Sequence, residues 1–422
     1  MNFLNKELKK FGIINVSIVG AGMMGRSLFA QILDLENFNP SCLCSRRIES
    51  VIEVFESLKI KNYKICKSKD EAERAQKDGF IVGTDKVEIA ASLSSVHVLV
   101  DCTGNVEAGA QMSLLAIEAC KDIVSLNVEM DVIVGHELKR RAEEKGLVYS
   151  GSYGDEPGAI NEIYDFAKFV GFEVLALGKG KNNPLKVDVT PEDLKAEAES
   201  KGLSARMLTS FVDGTNTMIE LNAIANATGF LPDKLGCHNI ESGIEDLCDK
   251  MRLKEEGGIL NSYKVVDFVR GIAPGVFAIV RAKNKVIDKE MRYLQMGKGP
   301  NYVLYRPYHL TSIETPVSIA KAVVLRQASI EPIADEPIAE TVCIAKKDIK
   351  KSELIEGIGG RSIYGSLEKY ELAKENSYVP IGLINEKTYA KRDIKKGTVL
   401  TKDDVILDKD SLVYKLSKRR FD

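Results

Sequence analysis

The first stretch of this chain with chemistry in it is Gly20-Ala21-Gly22-Met23-Met24-Gly25. It follows an apolar run with Ile14, Val16, Ile18 and Val19, and it precedes a helical pattern carrying Leu28, Ile32 and Leu33. Three glycines at this spacing are a weak signal alone. Between a strand and a helix they have the context of a dinucleotide-binding turn. Gly20 allows the tight turn, Gly22 lets a pyrophosphate reach the backbone, and Gly25 lets the helix pack close on the strand. Met23 and Met24 then stand at a helix start, where unpaired N–H groups and the helix dipole favour negative charge. An NAD site places a carboxylate at the end of the second strand, about 20 residues on, to hold the ribose 2′-OH. This chain has Cys44-Ser45-Arg46-Arg47 there. Ser45, Arg46 and Arg47 suit a 2′-phosphate through charge-assisted hydrogen bonds. NADP is therefore expected, with NAD the alternative if the two arginines are only a solvated helix start. Thr103-Gly104-Asn105 and Asn127 with Glu129 follow later strands, where a Rossmann sheet brings its carboxyl edge to the cofactor. Glu129 is equally well a surface charge.

A second group lies further on. Lys179 and Lys181 follow the apolar run FEVLALG in a Gly- and Asn-rich stretch expected to be a flexible loop. A lysine desolvated beside another cation has a lowered pKa and suits proton transfer. The pair also suits a phosphate or carboxylate, with Lys186 a weaker member; an exposed basic turn is the plain alternative. Asp213 and Glu220 lie in SFVDGTNTMIELNAIAN. Asp213 is a proton-transfer candidate or a helix cap. Glu220 sits in a segment too apolar for a solvated helix, and buried carboxylates are rare unless paired. A Glu220–Lys179 pair answers that. Asp155 and Glu156 in GDEPG suit substrate hydroxyls, a divalent cation or a plain interdomain turn. Arg306, among Tyr305, Tyr308 and His309, is a possible anion ligand, although core packing explains the cluster equally.

These residues need elements to hold them. Strands alternating with helices from the start to Gly151 imply a doubly wound parallel sheet. The expected strands are Ser41–Ser45, Val96–Asp101, Asp122–Asn127 and Leu147–Gly151, with an amphipathic helix over residues 1–12 carrying Phe3, Leu4 and Leu8. The expected domains are 1–151 (NADP-binding, Rossmann type), 152–330 (catalytic α/β, oligomerising) and 331–422 (β-rich). The last holds an internal repeat: Ala345-Lys346-Lys347-Asp348-Ile349-Lys350-Lys351 against Ala390-Lys391-Arg392-Asp393-Ile394-Lys395-Lys396. Its lysines are expected to be solvated turns.

The chain has 422 residues, 44% hydrophobic and 28% charged, which excludes disorder, collagen and coiled coil as descriptions of the whole. With 59 basic and 61 acidic residues, the net charge of −2 gives no pull towards nucleic acid or anionic membrane. No run reaches the roughly 18 apolar residues of a membrane span, and the N-terminus lacks a signal-peptide core. A cytoplasmic location is expected. Eight cysteines without paired spacing point to reduced thiols, and four histidines without HExxH or CxxC give no dedicated zinc site.

The sequence resembles the homoserine dehydrogenase-like oxidoreductases that carry a C-terminal SAF (antifreeze-like) domain, in particular their 1-deoxy-D-xylulose 5-phosphate reductoisomerase-like group. The residues carrying the resemblance are Gly20–Gly25, Asn127-Val128-Glu129, Gly154-Asp155-Glu156-Pro157-Gly158, Gly178-Lys179-Gly180, Ser210–Thr215, Ala225–Gly229, Gly299-Pro300, Tyr305–His309 and the tail repeat. The resemblance implies a homoserine dehydrogenase-like catalytic domain with an open sheet, a homodimer or homotetramer built through it, and NAD(P)-dependent chemistry on a small polar metabolite. Homoserine dehydrogenases proper place a lysine just after the strand that ends here at Asn127, so homoserine itself is not the expected substrate. Two further readings stay open. One is a reductoisomerase, as in isoprenoid biosynthesis, which calls for a divalent metal. The other is a sugar-modifying reductase in surface-polysaccharide synthesis. A non-catalytic NADP-binding scaffold is the alternative outside enzymology.

Overall fold

The computed structural model describes residues 1–417; the last five residues of the expected tail domain lie outside the described residues. Two compact units form: residues 1–158 with 310–331, and residues 159–309 with 332–422. Both expected boundaries move. The segment Leu310–Glu331 returns to the first unit, and the tail joins the second instead of standing apart.

The first unit is a seven-stranded sheet: β1 (Ile14–Val19), β2 (Phe38–Cys44), β3 (Tyr63–Ile65), β4 (Ile81–Thr84), β5 (Val98–Asp101), β6 (Asp122–Ser125) and β7 (Tyr149–Gly151). The order is β3-β4-β2-β1-β5-β6-β7, and every pairing is parallel. Strands buried on both faces read as continuous apolar runs, which is why β1 and β5 were plain in the sequence and three-residue β3 was not. Strand order reverses between β1 and β5, the switch point at whose carboxyl ends such sheets bind ligands. The N-terminal helix Asn2–Phe11 buries Leu4 and Leu8 but leaves Phe3 exposed, correcting the expected face. Those two leucines share a core with Ile319, Ala320, Ala322 and Val323 of the returning segment. The apolar spacing of Thr311–Ala320 therefore belongs to this unit's core.

The second unit has a mixed sheet: β8 (Glu173–Lys181), β9 (Leu231–Pro232), β10 (Ile240–Glu241), β11 (Val265–Arg270), β12 (Val276–Arg281) and β13 (Asn301–Arg306). The path is β10-β11-β8-β12-β13, with β9 on β11; β8 runs parallel to β11 and antiparallel to β12. The helix Thr215–Thr228 is buried along almost its whole length. Such a helix is a core element, with no face for water. In the tail, β14 (Ala339–Ala345) pairs antiparallel with β15 (Ile363–Lys369). The two repeats pair with each other about a local two-fold. Ile349 and Ile394 exchange backbone hydrogen bonds at 2.8 Å. Lys350 donates to Asp393 at 3.0 Å, and Lys395 donates to Asp348 at 2.9 Å. Among the described residues, no helix is long and apolar enough to cross a membrane.

Candidate active-site elements

At the switch point of the first unit the glycines have distinct physical roles. Gly20 has φ +112, and a Cβ there would lie 2.5 Å from the Cys102 carbonyl oxygen, so this turn touches the loop after β5. A Cβ on Gly25 would lie 1.7 Å from the Gly20 oxygen. The fold itself demands glycine at both positions. Gly22 differs. It has extended backbone, precedes the helix Met23–Leu33, and a Cβ there would meet nothing within 4 Å. No side chain caps that helix start. An open approach to uncapped N–H groups fits a dinucleotide pyrophosphate. Met23 and Met24 are exposed beside it. Ser45 donates its backbone N–H to Thr84, while Arg46 and Arg47 are exposed and Arg47 also donates to Ser50 Oγ at 3.0 Å.

The loops after β5 and β6 are tied by a residue that sequence reasoning missed, Asp101. Its Oδ1 accepts the Thr103 N–H at 2.8 Å and the Thr103 hydroxyl at 2.7 Å. Its Oδ2 accepts the Asn127 amide at 3.0 Å. Asn127 also donates to the Asn105 carbonyl at 2.9 Å and accepts the Met130 N–H at 3.1 Å. Burial pushes the Asp101 carboxyl above its usual range. A carboxylate closing an apolar strand, as in VLVD, was the available signal. Asn127 is thus a buried positioning residue, and Gly104 and Asn105 are the exposed members of the loop. Glu129 is half-buried, with its carboxyl pushed up to about 6, first by desolvation and then by the Asp101 charge. Asp155 is half-buried, just ahead of the helix Glu156–Phe169.

In the second unit, Lys179 and Lys181 lie within strand β8, buried, and not in a flexible loop as expected. The alternation Gly178-Lys179-Gly180-Lys181 explains this. Period two puts both lysines on one face and both glycines on the other. A Cβ on Gly178 would be 2.2 Å from the Asp267 carbonyl oxygen, and one on Gly180 would be 2.4 Å from the Ala273 nitrogen. The glycine face is closed by neighbouring backbone. On the other face Lys179 forms an ion pair with Glu220, whose second oxygen accepts from Asn216 at 2.7 Å. Asn216 and Glu220 are four apart on the buried helix, so they share its face. Lys181 donates to the Phe211 carbonyl at 2.5 Å. Its pKa is pulled down to about 8, first by desolvation and then by the Lys179 charge, against the opposing pull of Glu220 and Asp213.

Asp213 is buried and doubly engaged. Oδ1 accepts the Thr215 N–H at 2.8 Å, and Oδ2 lies 2.7 Å from Lys346 Nζ. Lys346 corrects a second expectation: the first lysine of the repeat is buried, not a solvated turn. Lys186 is exposed. Arg306 pairs with Glu162 at 2.8 Å and lies over the Tyr308 ring at 4.6 Å, while His309 Nδ1 lies 2.9 Å from the Pro274 carbonyl oxygen. That cluster is largely satisfied internally.

Residues 154–315 match the family described as oxidoreductase DRL, catalytic domain. The matched span contains Lys179, Lys181, Asp213, Glu220 and Arg306, so this segment is similar to an oxidoreductase catalytic domain. A sequence search of curated proteins returns no match. Among solved structures the chain is similar to 1-deoxy-D-xylulose 5-phosphate reductoisomerase from Zymomonas mobilis in complex with NADPH, at 14% identity and TM-score 0.42, covering 73% of this chain and 70% of that one. It is also similar to a probable dehydrogenase from Thermotoga maritima, at 10% identity and TM-score 0.43, covering 75% and 90%. A DOX-P reductoisomerase in complex with magnesium aligns at 13% identity and TM-score 0.41, covering 76% and 71%.

Proposed function

We propose that this chain is an NADP-dependent oxidoreductase that moves a hydride to or from a small polyhydroxy or phosphorylated carbonyl compound. The observation that carries the reading is the buried Lys179–Glu220 pair beside Lys181, an amine whose pKa near 8 suits proton exchange at physiological pH. Similarity of the surrounding segment to an oxidoreductase catalytic domain supports it. Bound nicotinamide supplies the hydride chemistry. The chain's own groups do the rest. Neutral Lys181 accepts the hydroxyl proton when an alcohol is oxidised, and its ammonium returns a proton when a carbonyl is reduced. Lys179, held by Glu220, offers a fixed positive charge to a developing oxyanion. Arg46 and Arg47 favour the 2′-phosphate. Isomerisation before hydride transfer, an SAF-type tail and a homo-oligomer built through the second unit belong to the same reading as its finer parts.

Fluorescence titration of the full chain with NADPH and NADH tests it. NADPH should bind more tightly, and Arg46→Ala/Arg47→Ala should lose that preference by roughly tenfold or more. Binding of neither nucleotide would overturn the reading.

A further inference from the structure

We infer that Lys346, at the end of β14 in the tail, is a positioning residue of the lysine cluster: it holds Asp213, and through Asp213 the turn that aligns Lys181 and launches the helix bearing Glu220. The inference rests on the proposed role of Lys181 and adds the tail to the machinery that supports it.

Lys346 is a built contact. Its side chain is 2% exposed, and its ammonium meets three oxygens: Asp213 Oδ2 at 2.7 Å and the carbonyls of Val189 and Gly360 at 2.9 Å each. The two carbonyls accept hydrogen bonds from the ammonium, and the Asp213 carboxylate adds an ion-pair contact. The repeat provides an internal control. Lys391 occupies the equivalent place in the second copy and is exposed. The tail's local fold therefore does not require a buried lysine at this position; the Asp213 side supplies the reason.

The turn over residues 211–215 is where the cluster is assembled. Phe211 offers its carbonyl to Lys181, and Asp213 accepts the Thr215 N–H across Gly214, whose φ is +89. The helix then runs on to Glu220, the partner of Lys179. The tail grips this turn twice, because the Thr215 hydroxyl accepts the Gly365 N–H of β15 at 2.8 Å. It grips the same helix further along, where the Asn222 amide meets Thr341 at 3.0 Å and Asn226 Oδ1 accepts the Ile338 N–H at 2.7 Å. A buried ion pair adds little net stability over an apolar pair of the same size, since desolvation offsets its attraction. A charged pair at this place fixes one geometry, where an apolar pair would tolerate several.

The test follows the titration of Lys181 in the full chain, by NMR of isotope-labelled methyl groups added to lysines. The signal is assigned by its loss in Lys181→Arg. The wild-type midpoint should lie near 8. Lys346→Met should loosen the turn, let water reach Lys181 and raise the midpoint by roughly one pH unit or more. Lys346→Arg, which keeps charge and donors, should restore it. If Lys346→Met does not fold, Lys346→Gln carries the test with the same expected direction, because it keeps a polar donor at the site and still lacks the charge that holds Asp213. A folded Met or Gln variant with an unchanged midpoint overturns the inference. A wild-type midpoint near that of an ordinary lysine overturns the proton-carrier reading instead. No nucleotide and no turnover are needed, so the two failures are distinguishable.

Discussion

The two units build their polar sites from opposite materials. Around β1 and β5 the approach surface is backbone: an open Gly22, an uncapped helix start, and side chains that tie loops together beneath it. In the second unit the site is side-chain charge taken out of water: Lys179, Lys181, Glu220, Asp213 and Lys346 are all buried. Backbone donors lie on the surface at little cost, whereas every buried charge needs its partner in place. At its open position, Gly22, the first site should therefore tolerate mutation structurally and fail in binding, unlike Gly20 and Gly25, which the fold itself requires. The second should respond in stability and function together.

Glu220→Gln should break that contrast most forcefully. It takes the carboxylate out of a buried ion pair, and losing one partner of such a pair costs about 3–5 kcal/mol. Chemical denaturation should show this loss, and Lys179→Met with Glu220→Gln should recover much of it. A single variant as stable as wild type would mean that the pair is not buried as described. Gly22→Ala comes next, with the opposite signature. Melting should be unchanged because a Cβ there meets nothing within 4 Å, yet NADPH affinity should fall roughly tenfold or more, about 1.4 kcal/mol, because the pyrophosphate needs that space. Loss of stability without loss of binding would reverse the assignment.

A third effect, on stability against pH, sharpens the comparison within the first unit. Asp131 accepts the Tyr149 hydroxyl at 2.8 Å, and its carboxyl is pushed from 3.8 up to about 6, mainly by desolvation and then by Glu331. Its folded pKa lies above its unfolded one. The folded state then binds more protons between those values, and stability falls as pH rises through that window. Asp131→Asn should remove this slope and stabilise the chain above pH 6 by roughly 1–2 kcal/mol. Denaturation at acid and neutral pH measures it. No gain at neutral pH would show that the carboxylate is better solvated than its surroundings suggest.

How much was legible in the sequence follows the same division. Gly20, Gly22 and Gly25 act within one turn, so their spacing carried that turn, and the apolar runs of β1 and β5 carried the sheet. The Glu220–Lys179 pair was inferable because a carboxylate in an apolar helix needs a partner. The loop expected at the two lysines is a strand instead, because Gly178 and Gly180 mark close backbone packing and not flexibility. Lys346 was invisible for a different reason. Its repeat partner Lys391 is exposed, and tertiary contacts with Asp213 and the Val189 carbonyl set the two copies apart. The role of Asp101 is not legible in sequence because its hydrogen bonds run to loops from two different strands.

The most direct test of the central claim is turnover by Lys181→Met, followed through nicotinamide absorbance against a panel of polyols and sugar phosphates. The account predicts that wild type turns over at least one of them with NADP or NADPH. The variant should bind NADPH as wild type does and lose about a hundredfold or more in rate. A variant that turns over as fast as wild type would contradict it.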